Sequence, residues 1–78
     1  MQIEMGMPVI LKDATGLGEY NLFKDQCGMA NSVIVIEGEE YIYFMPESQL
    51  RMYTIKSNRV IIDEDKLEAW KAEEAEDG

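Results

Sequence analysis

The chain contains no histidine. That absence removes the Ser-His-Asp triad, the Cys-His dyad, histidine-ligated zinc and the usual general base near neutral pH, whatever the fold. Cysteine is nearly absent as well. Cys27 stands alone, so the chain can build neither an internal disulfide nor a four-cysteine metal site. A secreted domain of this size would usually carry several disulfides, so the expected compartment is a reducing one, the cytoplasm. No apolar run approaches the roughly 18 residues that cross a bilayer. The Met1–Met5 stretch lacks the basic start of a secretory signal.

Positive charge is also scarce. Seven lysines and arginines face sixteen aspartates and glutamates, for a net charge of −9. The imbalance is uneven. Residues 1–62 hold eight acids and five bases, a net of −3, whereas residues 63–78 hold eight acids and two bases, a net of −6. A surface of this sign repels nucleic acid and anionic membrane. The expected partner is therefore a protein with a basic surface, with no direct binding to nucleic acid and none to membrane.

What is present suffices for one small domain. Hydrophobic residues make up 46% of the 78 residues, which argues against intrinsic disorder. Chains of this length bury only about 60% of their unfolded surface, so the core must be small. Residues 1–73 read as a single domain and residues 74–78 as a frayed acidic tail.

Pro8-Val9-Ile10-Leu11-Lys12 reads as a strand with proline at its first position, where a missing N–H is tolerated. Asp13-Ala14-Thr15-Gly16 is a turn. Glu19 to Lys24 is expected to be a second strand, with Tyr20 and Leu22 on one face, and Lys24 to Gly28 a loop or single helical turn. Val33–Ile36 and Tyr41–Met45 are β-branched and aromatic runs joined by Glu37-Gly38-Glu39-Glu40, where Gly38 supplies the left-handed residue of a hairpin. Pro46 ends that strand. Arg51–Ile55 and Val60–Ile62 suggest a second hairpin turning at Ser57-Asn58, with Asn58 left-handed, Ile55 facing Val60 and Tyr53 facing Ile62. Asp63 is a good N-cap, and Glu64 and Asp65 sit where the helix dipole favours negative charge. Leu67 and Trp70 share a face of a helix over residues 63–73 that frays past Ala72. The expected fold is α+β: a small, curved antiparallel sheet or partly open barrel of four or five strands, with one C-terminal acidic helix over an edge.

The motifs that would carry chemistry fail on their details. Asp63, Asp65 and Glu74 occupy positions 1, 3 and 12 of a calcium loop, but position 6 is Glu68 where glycine is required. Gly16-Leu17-Gly18 lacks the rest of any phosphate-binding fingerprint. Cys27 reads as a small buried hydrophobe. The clustered carboxylates sit at a hairpin tip and a helix start, the opposite of the buried environment that raises a catalytic pKa. The expectation is therefore no enzyme, no cofactor and no metal.

Binding remains. Tyr41 and Tyr43 share the face opposite Ile42 and Phe44, and tyrosine beside charge is typical of protein interfaces. The candidate binding residues are Glu37, Glu39, Glu40, Tyr41, Tyr43, Asp63, Glu64, Asp65, Glu68, Glu73 and Glu74. Their carboxylates can imitate a phosphate backbone, as small acidic inhibitors of phage and mobile elements do against nucleic-acid-handling proteins and defence complexes. The alternative is an assembly subunit that forms homo-oligomers through strand edges, either the N-terminal strand or Arg51–Ile55.

Overall fold

The computed structural model describes residues 2–76. The fold is α+β, one antiparallel five-stranded sheet followed by one helix. The strands are β1 (Pro8–Leu11), β2 (Gln26–Ile36), β3 (Glu39–Pro46), β4 (Tyr53–Lys56) and β5 (Val60–Ile62), in spatial order β4-β3-β2-β1-β5. The helix α1 spans Glu64–Glu76. It begins one residue after the expected start and its helical backbone passes the expected end at residue 73.

The β2–β3 hairpin is the spine of the sheet. Ile36 pairs with Glu39 across Glu37-Gly38, and both turn residues have positive φ, 51° and 80°. This is the two-residue turn whose twist matches that of the strands it joins. β2 starts seven residues earlier than the β-branched run alone indicates, because pairing to β1 on one side and β3 on the other extends residues 26–32 despite their modest strand preference. Between Ala30 and Val33 the register shifts by one, so Asn31 and Ser32 together oppose Tyr43. This β-bulge lets Ala30 and Val33, three residues apart, both face inward.

The inner face holds the core: Val9, Leu11, Ala30, Ile42, Phe44, Ile55 and Val60, joined by Leu22 from the loop after β1. Leu22 arrives there by a route other than the expected strand. Gly18–Tyr20 forms a 3-10 turn and Asn21 is left-handed at φ 62°, so Glu19–Lys24 is not extended, and Tyr20 lies exposed while Leu22 is buried. The Gln26 side chain secures this loop from beneath. Its Oε1 accepts the Phe23 N–H at 3.2 Å and its Nε2 donates to the Asn21 carbonyl at 3.4 Å.

The second hairpin does not form. Ser57–Arg59 is a single 3-10 turn, and Asn58 is not among the residues with positive φ. Without a tight reversal β4 and β5 cannot pair with each other. β4 pairs with β3, placing Ile55 opposite Ile42 and Tyr53 opposite Phe44, and β5 pairs with β1. Three residues thus link the two outermost strands, and so short a span requires the sheet to curl until its edges approach. The same pairing makes β1 interior, flanked by β2 and β5. The N-terminal strand therefore cannot serve as an interaction edge.

The helix leaves the end of β5 and packs against β1, with Leu67 buried and Trp70 half-buried. An ion pair from Lys66 to Glu47 ties it to the segment after β3. No helix among the described residues is long and apolar enough to cross a membrane.

Candidate functional site

The hairpin tip distributes its glutamates in three directions. Glu37 is exposed within the turn. Glu39 points to the outer face, where Lys56 approaches its carboxylate at 3.0 Å and the Tyr41 hydroxyl donates to it at 3.1 Å. The lysine and then the tyrosine hold its carboxyl below the ordinary glutamate range, and the glutamate in turn raises Lys56. Glu40, one residue on, turns to the inner side by strand alternation and is half-buried. Tyr41 and Tyr43 lie half-buried on the outer face, opposite the wholly buried Ile42 and Phe44.

The helix start divides in the same way. Asp63 is only 4% exposed, so it does not present a carboxylate to a partner. Its N–H donates to the Pro8 carbonyl at 2.9 Å and its carbonyl accepts the Lys66 N–H at 3.1 Å. It joins β1, β5 and α1 and serves the fold. Glu64, Asp65, Glu68 and Glu73 are exposed, and the Glu74 side chain lies outside the described residues.

Tertiary structure brings part of the two acidic groups together. A groove of about 700 Å³ is lined by Glu40 from β3 and by Glu64 and Asp65 from α1. Ile3, Ile10, Val60, Ile61 and Ile62 form its apolar walls. Its lining includes no lysine or arginine, and among the described residues no cation lies within ion-pairing distance of these three acids; Asp63, which also lines it, has the Lys66 ammonium at 4.0 Å. Glu37, Glu39, Glu68 and Glu73 do not line it. Neither do Tyr41 and Tyr43, so the tyrosines and the converged acids are separate features.

Ile10, Ile61, Ser57 and Asn58 line this groove and were not foreseen as site residues. The only sequence signal for Ile61 was its place in an unbroken apolar run, where strand alternation sets it on the face opposite Val60 and Ile62. A second groove, of about 420 Å³, separates Lys66, Ala69 and Trp70 of the helix from Pro8, Met29 and Met45 of the sheet. Cys27 is half-buried in β2 opposite Ile10. No three acids or cysteines are grouped to hold a metal ion among the described residues. No family model, no curated protein and no solved structure matches this chain.

Proposed function

We propose that this chain is an acidic protein-binding module that occupies the basic surface of a nucleic-acid-handling protein and competes there with nucleic acid. The observation that carries the reading is the convergence of Glu40, Glu64 and Asp65 on one open, apolar-walled groove whose described lining holds no lysine or arginine. Three of the seven basic residues are already engaged internally, Lys12 with Asp25, Lys56 with Glu39 and Lys66 with Glu47. The pairs leave the net charge of −9 unchanged, and a charge of this size steers a basic partner and accelerates encounter. A non-catalytic role accords with the missing histidine. It also accords with the surroundings of Asp13, Asp25 and Glu39, whose carboxyls are held below the ordinary range by hydrogen bonds and neighbouring cations, opposite to a general acid.

The test is binding of the purified chain to basic nucleic-acid-binding proteins, with and without DNA. Affinity is expected to fall at least about tenfold between about 50 and about 300 mM NaCl. DNA should be displaced, and a Glu40→Gln, Glu64→Gln, Asp65→Asn triple variant should bind more weakly. Salt-insensitive binding, or a triple variant that binds like the parent, would reject the reading. One observation favours a second reading, assembly through strand edges: β4 ends the sheet with its outer side unpaired. Light scattering separates the two, since a monomer supports the competitor and a stable ring or dimer the subunit.

A further inference from the structure

The register around β5 determines which of its backbone groups point away from the sheet. Asp63 N–H donates to the Pro8 carbonyl at 2.9 Å, and Lys12 N–H donates to the Arg59 carbonyl at 2.8 Å. Bonded pairs in an antiparallel ladder recur every second residue, so Ile10 and Ile61, midway between those bonds, are the mutually bonded pair. Val60 and Ile62 therefore turn their backbone groups away from β1. The Val60 N–H is taken by the Ser57 carbonyl. The Val60 carbonyl and the Ile62 N–H and carbonyl face outward, and β5 is the last strand on its side.

The acidic groove wraps this same edge. Ile10 and Ile61 reach it from the outer face of the sheet, and Val60 and Ile62 from the inner face. Ile61 is 49% exposed although it stands within a strand. Glu64 and Asp65 stand at the end where the chain enters the helix, and Glu40 lies across the groove. An open strand edge, apolar walls on both faces and carboxylates at the rim specify one kind of occupant.

We infer that the β5 edge takes an extended basic segment of the partner as a sixth strand, with lysines or arginines meeting Glu40, Glu64 and Asp65 and apolar side chains covering Ile10 and Ile61. The inference rests on the acidic-module reading and deepens it by naming the shape of what is bound. Backbone pairing supplies register, and alternating side chains supply the choice of partner. A second copy of this chain is the wrong occupant, because pairing β5 with β5 would set the same three acids against one another. The strand is short, so the paired stretch is short and the charges contribute a large share of the affinity.

The test uses the full chain, labelled for NMR, and a short peptide of alternating lysine and valine. The peptide should bind at low salt and shift the Ile62 amide resonance. Two complementary peptides, N-methylated at alternate amides, each lose the N–H donors of one edge and carry methyl groups that block its close approach to a neighbouring strand. One of them should bind at least about tenfold more weakly than the parent peptide. A peptide with glutamate in place of lysine should not bind. If both methylated peptides bind as well as the parent, capture is by charge alone: strand addition is overturned and the acidic-module reading stands. If the parent peptide fails to bind while basic proteins still do, the β5 site is likewise overturned. Failure of both peptide and basic proteins overturns both.

Discussion

Gly28 has no side chain because Phe44 occupies the space one would need. A Cβ there would lie 2.6 Å from both the Met45 carbonyl oxygen and the Phe44 ring. Neither neighbour can yield easily, since one is backbone and the other the largest wholly buried side chain. Gly28→Ala is expected to cost about 1–3 kcal/mol, as overpacking of a tight core does, read as a lower urea midpoint. A midpoint equal to the parent's would show that the ring can move aside. Nothing local in the sequence marks this glycine, because the conflict arises only when β3 is laid beside β2. Glu39 offers a prediction in pH. Its folded carboxyl is depressed by Lys56 and Tyr41. The pair's contribution is therefore present above the unfolded glutamate value and is lost as pH falls through the lower folded value. Lys56→Met is expected to move the Glu39 midpoint upward in an NMR titration, and an unmoved midpoint would contradict the assignment. The pair is exposed, so its effect on stability should be slight.

Among the elements, the β2–β3 hairpin was the most legible, since two β-branched and aromatic runs flank a glycine at the right spacing. Its turn still carries a local misfit: Glu37 adopts φ 51° with a side chain that disfavours it. Glu37→Asn is expected to stabilise the fold by about 1 kcal/mol, measured as a raised thermal midpoint, because asparagine tolerates the left-handed region. A lowered midpoint would mean that Glu37 makes a compensating contact. The β4–β5 segment misled for an instructive reason. Two strands separated by Lys56-Ser57-Asn58-Arg59 satisfy the spacing of a hairpin, and asparagine suits its turn. The backbone instead makes one 3-10 turn, and each strand finds a partner elsewhere. Turn chemistry permits a reversal. It does not compel one when better-packed neighbours are available.

At the scale of the whole molecule, charge opposes compaction. The described ion pairs are exposed or partly so, and such pairs contribute about 0–1 kcal/mol each. They do not offset the self-repulsion of a −9 chain. Raising NaCl from about 10 to about 500 mM is therefore expected to raise the thermal midpoint, as screening weakens repulsion more than it weakens those pairs. A midpoint that falls with salt would show that the ion pairs dominate. Salt thus acts in opposite directions on folding and on binding, and a single titration of the chain with and without a basic partner displays both.

The sequence by itself determined what depends on residue identity or near neighbours. It established the exclusion of histidine chemistry, the sign and placement of the charge along the chain, the α+β class, the shared face of Tyr41 and Tyr43, and the start of the helix to within one residue. Only the tertiary structure decided which strands lie at the edges, because strand partners are chosen by long-range packing and not by the loop between them. It likewise decided that Asp63 is buried at the base of the groove around which Glu40, Glu64 and Asp65 meet. Charge can be counted along a chain, but its convergence requires the curl of the sheet that brings β3, β5 and the helix start together.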